Sequence, residues 1–328
     1  MVTDEHALPC VSVVIPTRDR AAMLAEAVES VLRVASQVSR EARLEIVVVD
    51  DGSTDDTAAV ARRYPVRYLQ GGGRGAAAAR NLGIRAATGE LVAFLDDDDV
   101  WLEGHVAPHL AVLRADPEVA LVFAQGILAD TDLRPVFPPS PAAPLPSGDV
   151  FAYSLRQSVQ WNTVVARRRV LLDLGGFDES LDGAEDWDLQ LRLAARCDCA
   201  GVAVPVTLYR QDAARPKDFE TYRVWYERTI GMVRRNARLP ARSRIPLRQR
   251  LTLTFAIRGW YAFRFAYSAR AAVARGQTGE ALRCLGGALR ASPLHSALRV
   301  PYFWPAAGAV ARAIVGAHLR RRGGAAPA

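Results

Sequence analysis

Asp96, Asp97, Asp98 and Asp99 follow directly on the apolar run Leu91-Val92-Ala93-Phe94-Leu95. Carboxylates crowded at one point repel one another, which raises their pKa values unless a cation is close. A hard divalent ion removes that repulsion. Mg²⁺ characteristically takes one or two carboxylates and completes its shell with substrate phosphates and water. The spacing alone leaves two readings open, a cation site and a solvated acidic turn. Two more acidic clusters fall at segment ends, Asp50-Asp51-Gly52-Ser53 and Glu185-Asp186-Trp187-Asp188. An acid at a helix start also serves as a cap or a dipole partner, so Glu185 and Asp186 by themselves carry either role.

The elements that must position these groups alternate along the first hundred residues. Val11–Ile15 reads as a buried strand stopped by Pro16, and the helical spacing of Met23, Ala27, Val28, Val31 and Leu32 predicts a helix over 21–32. Leu44–Val49 is a second strand ending at Asp50-Asp51. Ser53 or Thr54 is expected to cap the next helix. Val66–Leu69 is a third strand, and the loop Gly71-Gly72-Gly73-Arg74-Gly75 leads into a helix over 76–87. The apolar run 91–95 is then the strand that delivers the aspartates. Such alternation argues a Rossmann-like α/β fold, a mostly parallel sheet with helices on both faces. Open sheets of that kind bind ligands at the carboxyl ends of their strands.

Farther along, Val119–Phe123 is expected to be a strand, and residues 132–146, rich in proline, a surface loop. A helix is expected over 185–195 and a strand over 200–208. From Arg210 the pattern is helical and arginine-rich, with one tetratricopeptide-like helix pair around 271–293 and a frayed tail at 320–328. We therefore divide the chain into 1–210 and 211–328.

Charge divides it the same way. Residues 1–209 hold 19 Lys and Arg against 30 Asp and Glu, net −11, whereas residues 210–328 hold 23 against 5, net +18. Half of the 328 residues are apolar, enough for a full core. Cys10, Cys197, Cys199 and Cys284 have neither disulfide-framework nor zinc-ligand spacing. His105 and His109 lack the glutamate of a zinc-protease motif and are expected on a solvated helix face. No stretch of about 18 uninterrupted apolar residues occurs, so no spanning helix is predicted. The start Met1-Val2-Thr3-Asp4-Glu5 reaches a strand at once, so a cytoplasmic location without a signal peptide is the expectation.

Taken together, the blocks Val13-Val14-Ile15-Pro16-Thr17-Arg18-Asp19-Arg20, Val48-Val49-Asp50-Asp51-Gly52-Ser53-Thr54-Asp55, Ala79-Arg80-Asn81-Leu82-Gly83-Ile84, Gly89–Asp99 and Glu185-Asp186-Trp187 resemble the family-two glycosyltransferases of GT-A fold. The resemblance covers about residues 10–210 and leaves the basic helical extension uncovered. It implies inverting transfer of a sugar from a UDP-, GDP- or dTDP-linked donor to a glycan or lipid-linked hydroxyl, assisted by Mn²⁺ or Mg²⁺. It implies a donor side made of Pro16, Thr17, Asp19, Asp51, Arg80, Asp96 and Asp97, with Thr17 and Asp51 at the nucleoside base. Asp98 matches the direct metal ligand of the D-x-D element, Asp96 the residue nearer the ribose, and Asp186 the general base. Arg74 is offered to phosphate. Trp101, Glu185 and Trp187 fall on the acceptor side, although a core position is the alternative for Trp101. Similar proteins work in cell-envelope polysaccharide synthesis.

Rival readings come from two features. Gly71-Gly72-Gly73-Arg74-Gly75-Ala76 fits G-x-G-x-x-A between strand and helix, as a dinucleotide-binding oxidoreductase would. A non-catalytic sugar-nucleotide-binding protein would keep the same motifs. The basic extension, with Trp260, Tyr261, Phe263, Phe265 and Tyr267, suits an anionic membrane surface and a peripheral location. No nucleic-acid reader fold is evident, so nucleic acid is not an expected partner.

Overall fold

The computed structural model describes residues 8–181, 183–210, 218–236, 239, 247–293 and 304–312. It divides into two units, Met1–Gln211 with Arg235–Arg244, and Asp212–Arg234 with Ile245–Ala328. Arg235 Nη2 and Asn236 Nδ2 donate to the fully buried Asp188 at 2.7 and 2.8 Å. They therefore group with the first unit, not with the expected extension. The Arg320–Ala328 tail, the first seven residues and the Trp260 side chain lie outside the described residues.

In chain order the first unit contains β1 (Cys10–Thr17), α1 (Ala21–Gln37), β2 (Arg43–Asp50), α2 (Thr57–Ala61), β3 (Arg67–Gln70), α3 (Ala76–Ala86), β4 (Leu91–Phe94) and β5 (Val100–Trp101). There follow α4 (Val106–Ala115), β6 (Val119–Ala129), β7 (Ser147–Gly148), α5 (Phe151–Ser154), a 3-10 turn (Trp161–Thr163), β8 (Val164–Arg167), α6 (Arg168–Asp173), α7 (Glu185–Ala194) and β9 (Asp198–Arg210). The described strands form a mixed sheet in the order β3-β2-β1-β4-β8-β6-β9-β5, with β7 on β9. Strands β1 to β4 are parallel, β8 runs against both neighbours, and β6 and β9 are parallel.

Both faces of the sheet are covered. Val11, Val13 and Ile15 point into a core with Leu24, Val28 and Val31 of α1 and Leu110 and Leu113 of α4. The alternate residue Val14 meets α3 on the other face, where a Cβ at Gly83 would collide with its Cγ1. Gly83 thus lets α3 approach β1 closely and seats Arg80 beneath the sheet end. Gly83→Ala is expected to destabilise the fold by about 1–3 kcal/mol through overpacking, read as a lower urea midpoint at unchanged slope. An unchanged midpoint would show that α3 does not need this contact.

Several expectations are corrected. Helix α2 begins at Thr57, so neither Ser53 nor Thr54 caps it; Asp55 Oδ1 accepts the Thr57 N–H at 2.9 Å instead. His105 and His109 are fully buried rather than solvated, because α4 packs its start against the sheet. Their rings stack at 5.1 Å, and Nε2 of each donates to a carbonyl of the 3-10 turn. Segment 132–146, by contrast, is the surface loop expected, and it is tied to β6 by reciprocal Gly126–Ser140 backbone bonds and by Gln125 Nε2 to Pro141 O.

The second unit contains α8 (Phe219–Asn236, whose last two residues belong to the first unit), α9 (Leu247–Ala274) and α10 (Thr278–Ala291). Helices α9 and α10 form a hairpin about Gly276, whose φ of +72° suits the turn. One such pair cannot bury its own apolar face. The start of α8 supplies the missing cover: Phe219 and Tyr222 pack on Phe265, and Gly287 lets both phenyl rings approach. Among the described residues no helix is long and apolar enough to cross a membrane.

Candidate active site

The parallel strands β1, β2 and β4 end on one side of the sheet, and their first residues beyond it line a cavity of about 470 Å³. Pro16, Thr17, Arg18, Arg20, Asp51, Gly75, Ala76, Arg80 and Asp96–Asp98 form its wall. Two other cavities of similar size lie beside Cys10 and Arg43, at the amino ends of β1 and β2, and beside Glu26 and Arg210.

The four aspartates separate by direction. Asp97 and Asp99 turn inward, 5% and 4% exposed, whereas the Asp96 and Asp98 side chains are 40% and 30% exposed. Asp97 accepts from Thr17 Oγ1 at 2.7 Å and from Arg20 Nη1 at 2.8 Å. Arg20 Nη1 also reaches Asp98 at 2.6 Å. Burial, and for Asp98 the neighbouring Asp96, still push the carboxyls of Asp97 and Asp98 above the usual range, although Arg20 opposes this. Burial and then Asp96 and Asp98 raise Asp99 further. The four carboxylates of the turn meet two guanidiniums, Arg20 and Arg80, so formal negative charge there is in excess.

Among the described residues no three His, Cys, Asp or Glu side chains are grouped to hold a metal ion unaided. Two cavity-facing carboxylates, with uncompensated negative charge behind them, fit a cation that takes its remaining oxygens from substrate.

Asp51 is buried, and its carboxylate accepts the backbone N–H groups of Arg74 and Gly75 at 2.9 and 2.6 Å. Its own N–H donates to Thr17 O at 2.9 Å. The glycine-rich loop thus gives two of its amides to a carboxylate. A dinucleotide fingerprint needs such amides for pyrophosphate, so this geometry speaks against the oxidoreductase. Asp19, at φ +51°, receives the Thr54 N–H at 2.7 Å and ties the β1 end to the β2 end. Asp50 supports the same loop: burial works against its charge, but the Tyr68 hydroxyl and the Ser53 and Gly52 amides hold its carboxyl below the usual range.

Arg80 joins this wall to α7. Its Nη2 donates to Asp96 at 2.6 Å, and its Nη1 reaches Glu185 at 3.3 Å and Asp186 at 3.4 Å. Burial works against the guanidinium's charge, but Asp96 and Asp186 hold it more firmly protonated than a free arginine. The same burial pushes Asp186 up to about 7, with Arg80 pulling down and Glu185 and Asp96 pushing up. The Asp186 side chain remains 36% exposed, so it exchanges protons with solvent.

Segment 175–181 is held against α3 by Asn81. Its Oδ1 accepts the Phe177 N–H at 2.8 Å, and its Nδ2 donates to Phe177 O and Glu179. Arg74 meets Glu179 at 3.4 Å, linking the glycine-rich loop to the segment before α7. Glu185 Oε2 accepts the Gly183 N–H at 2.7 Å, so that carboxylate also braces the turn into α7.

The two tryptophans are placed by packing. Trp101 is 3% exposed and stacks on His105 at 3.7 Å, which corrects the expectation of an acceptor-side ring: two apolar ring faces are covered by α4 and the core. Trp187 is half-buried, and its indole N–H donates to Ser154 O at 2.6 Å, which fastens α7 to α5. Arg20, Asn81, Glu179 and Asn162 carry no assigned role in the motif reading. Arg20 and Asn81 lie inside the quoted blocks; nothing local marks Glu179 or Asn162.

Residues 12–148 match the model described as glycosyl transferase family 2, and residues 149–237 the one described as glycosyltransferase like family 2. The chain carries a family 2 glycosyltransferase domain. The transferase region is 30% identical over 196 residues to an uncharacterized glycosyltransferase of Rickettsia felis, covering 58% of this chain and 31% of that one. It is 33% identical over 207 residues to the pre-mycofactocin glycosyltransferase of Mycobacterium tuberculosis, covering 56% and 38%. The chain thus spans about a third of the length of these curated relatives.

In three dimensions the chain resembles TarS of S. aureus, solved in complex with UDP-GlcNAc, at a TM-score of 0.59 and 18% identity, over 92% of this chain and 88% of that one. It also resembles the mannosyltransferase PcManGT of Pyrobaculum calidifontis, solved with GDP-Man and Mn²⁺, at 0.56 and 23%, over 94% and 87%. The fold is GT-A, with a helical carboxy-terminal region.

Proposed function

We propose that this transferase moves a sugar from a nucleotide-diphosphate donor to a hydroxyl acceptor with inversion at the sugar carbon. The observation that carries the reading is Arg80, which touches Asp96 of the cavity wall and Asp186 of α7 at once. The donor wall and the candidate base therefore lie within one side chain of each other.

In this reading Thr17 and Asp51 border the nucleoside and Asp96 the ribose. Asp98, with Asp96 beside it, would hold Mg²⁺ or Mn²⁺. A cation bound there supplies charge neutralisation to the departing diphosphate. Asp186 accepts the proton of the acceptor hydroxyl at a carboxylate oxygen as the hydroxyl oxygen attacks the sugar carbon and the bond from that carbon to the diphosphate breaks. One displacement with one base inverts the configuration. The basic second unit suits an anionic bilayer surface, which would hold the enzyme peripherally near glycan or lipid-linked acceptors in envelope polysaccharide synthesis. Flotation of the full chain with phosphatidylglycerol vesicles is expected and should fall with salt; flotation that salt leaves unchanged, or none, removes the membrane from the proposal.

Ligand that binds only the folded state must stabilise it, by about 2.7 kcal/mol at a hundred times Kd. A thermal-shift panel of UDP-, GDP- and dTDP-sugars with Mn²⁺ is expected to raise the melting temperature for one base, and EDTA to remove the rise. No shift with any donor would end the reading. An equal shift in EDTA would remove the cation from it.

A further inference from the structure

Asp99, the last of the four aspartates, faces away from the cavity. Its Oδ2 accepts from Asn162 Nδ2 at 2.5 Å, and its Oδ1 accepts the backbone N–H of Arg210 at 2.7 Å. Its own N–H donates to Asp96 O at 3.1 Å, closing the turn that carries Asp96 and Asp98. One carboxylate therefore fastens that turn to the 3-10 turn before β8 and to the end of β9.

The anchor is itself fixed. Asn162 is 4% exposed, and its carbonyl oxygen accepts from Thr207 Oγ1 at 2.8 Å and from His105 Nε2 at 3.1 Å. The His105 ring is stacked between Trp101 and His109. Thus the histidines and tryptophan that serve no chemistry brace the residue that holds Asp99. Arg80 and Arg20 hold the Asp96 and Asp98 side chains; the buried two-point anchor at the fourth residue fixes the backbone of the turn from which both project.

We infer that Asp99, acting with Asn162, is the positioning residue of the nucleotide site, holding Asp96 and Asp98 toward the cavity. This rests on the role proposed above for Asp96 and Asp98. Asn162 Oδ1 is buried with no partner among the described residues, so the pair has unused hydrogen-bonding capacity. It should work with its groups exchanged. In the double variant Asp99→Asn/Asn162→Asp, the new amide donates to the new carboxylate, and its oxygen still accepts from Arg210. Asn162→Asp alone sets two carboxylates face to face.

The experiment is calorimetric titration of UDP, GDP and dTDP into the full chain with Mn²⁺, without acceptor, beside a thermal melt of each variant. Asn162→Asp is expected to weaken Mn²⁺-dependent nucleotide binding about tenfold or more, and the double variant to recover to within about threefold of wild type. Should Asn162→Asp not fold, Asn162→Ala, which removes the donor and adds no charge, is expected to weaken binding in the same direction. A melting temperature that falls while the binding constant of the folded protein stays unchanged overturns the inference. So does a double variant that binds no better than Asn162→Asp. Wild-type protein that binds none of the three nucleotides with Mn²⁺ overturns the parent reading, and this one with it; wild-type binding matched by Asn162→Asp and Asn162→Ala overturns this one alone.

Discussion

An Asp186→Asn variant is expected to bind the nucleotide donor as the wild type does and to turn it over about 10²–10⁴-fold more slowly. The carboxylate would be the group that takes the acceptor proton, and asparagine has the shape without the basicity. The pH profile carries a second, independent reading. Burial pushes Asp186 up to about 7, so its basic form accumulates as pH rises through that value, and wild-type kcat/KM should climb with it. In Asp186→Asn that limb should vanish. Stability gives a third. A carboxyl whose pKa is raised on folding contributes stability when protonated, and that contribution is lost as pH rises through the folded value. Wild type should therefore lose stability between about pH 4 and 7 relative to Asp186→Asn. Turnover by Asp186→Asn at the wild-type rate would remove Asp186 from the chemistry.

Removing Arg80 should cost both stability and activity. Its guanidinium is 7% exposed and serves Asp96, Glu185 and Asp186. Arg80→Met leaves those carboxylates without their shared cation. Breaking a buried pair costs about 3–5 kcal/mol, and the partial exposure of Asp96 and Asp186 sets the expectation at about 2–3 kcal/mol. Denaturant unfolding measures it. Because Arg80 pulls the Asp186 pKa down, its loss should also move the acid limb of the rate profile to higher pH. Arg80→Lys should not rescue, since one ammonium cannot span Asp96 on one side and α7 on the other as the planar fork does. Wild-type stability together with an unmoved limb would mean that Arg80 does not couple the two sides.

The cavity wall was legible because parallel strands are continuous apolar runs that stop abruptly at polar residues. Pro16, Asp50 and Asp96 mark those stops, and the strands β1, β2 and β4 end at or beside them. Helix α7 was legible for a related reason, an acidic first turn followed by an apolar stripe. The second half of the sheet was legible only in part, in the apolar runs 119–123 of β6 and 200–208 of β9. Strand β6 runs on to Ala129 through bulges, β8 runs antiparallel between two strands of the other sense, and β5 and β7 are two residues long. None of these has a local period to read. His105 and His109 were misplaced because i, i+4 polar side chains look the same on a wet face and on one whose polar atoms meet buried carbonyls.

Local sequence, then, determined where the chain changes from apolar strand to polar turn, and so which acidic residues stand at the carboxyl edge of the sheet. That follows from desolvation, which acts on each residue as it is buried. Direction and partnership were decided only by the tertiary structure. Asp96 and Asp98 face the cavity while Asp97 and Asp99 turn inward, Asp51 is engaged by the glycine-rich loop, and Arg80 reaches across to Asp186, 106 residues away. A side chain's charge partner is set by which segments pack within about 3–4 Å of it, and long-range packing of that kind leaves no period in the chain.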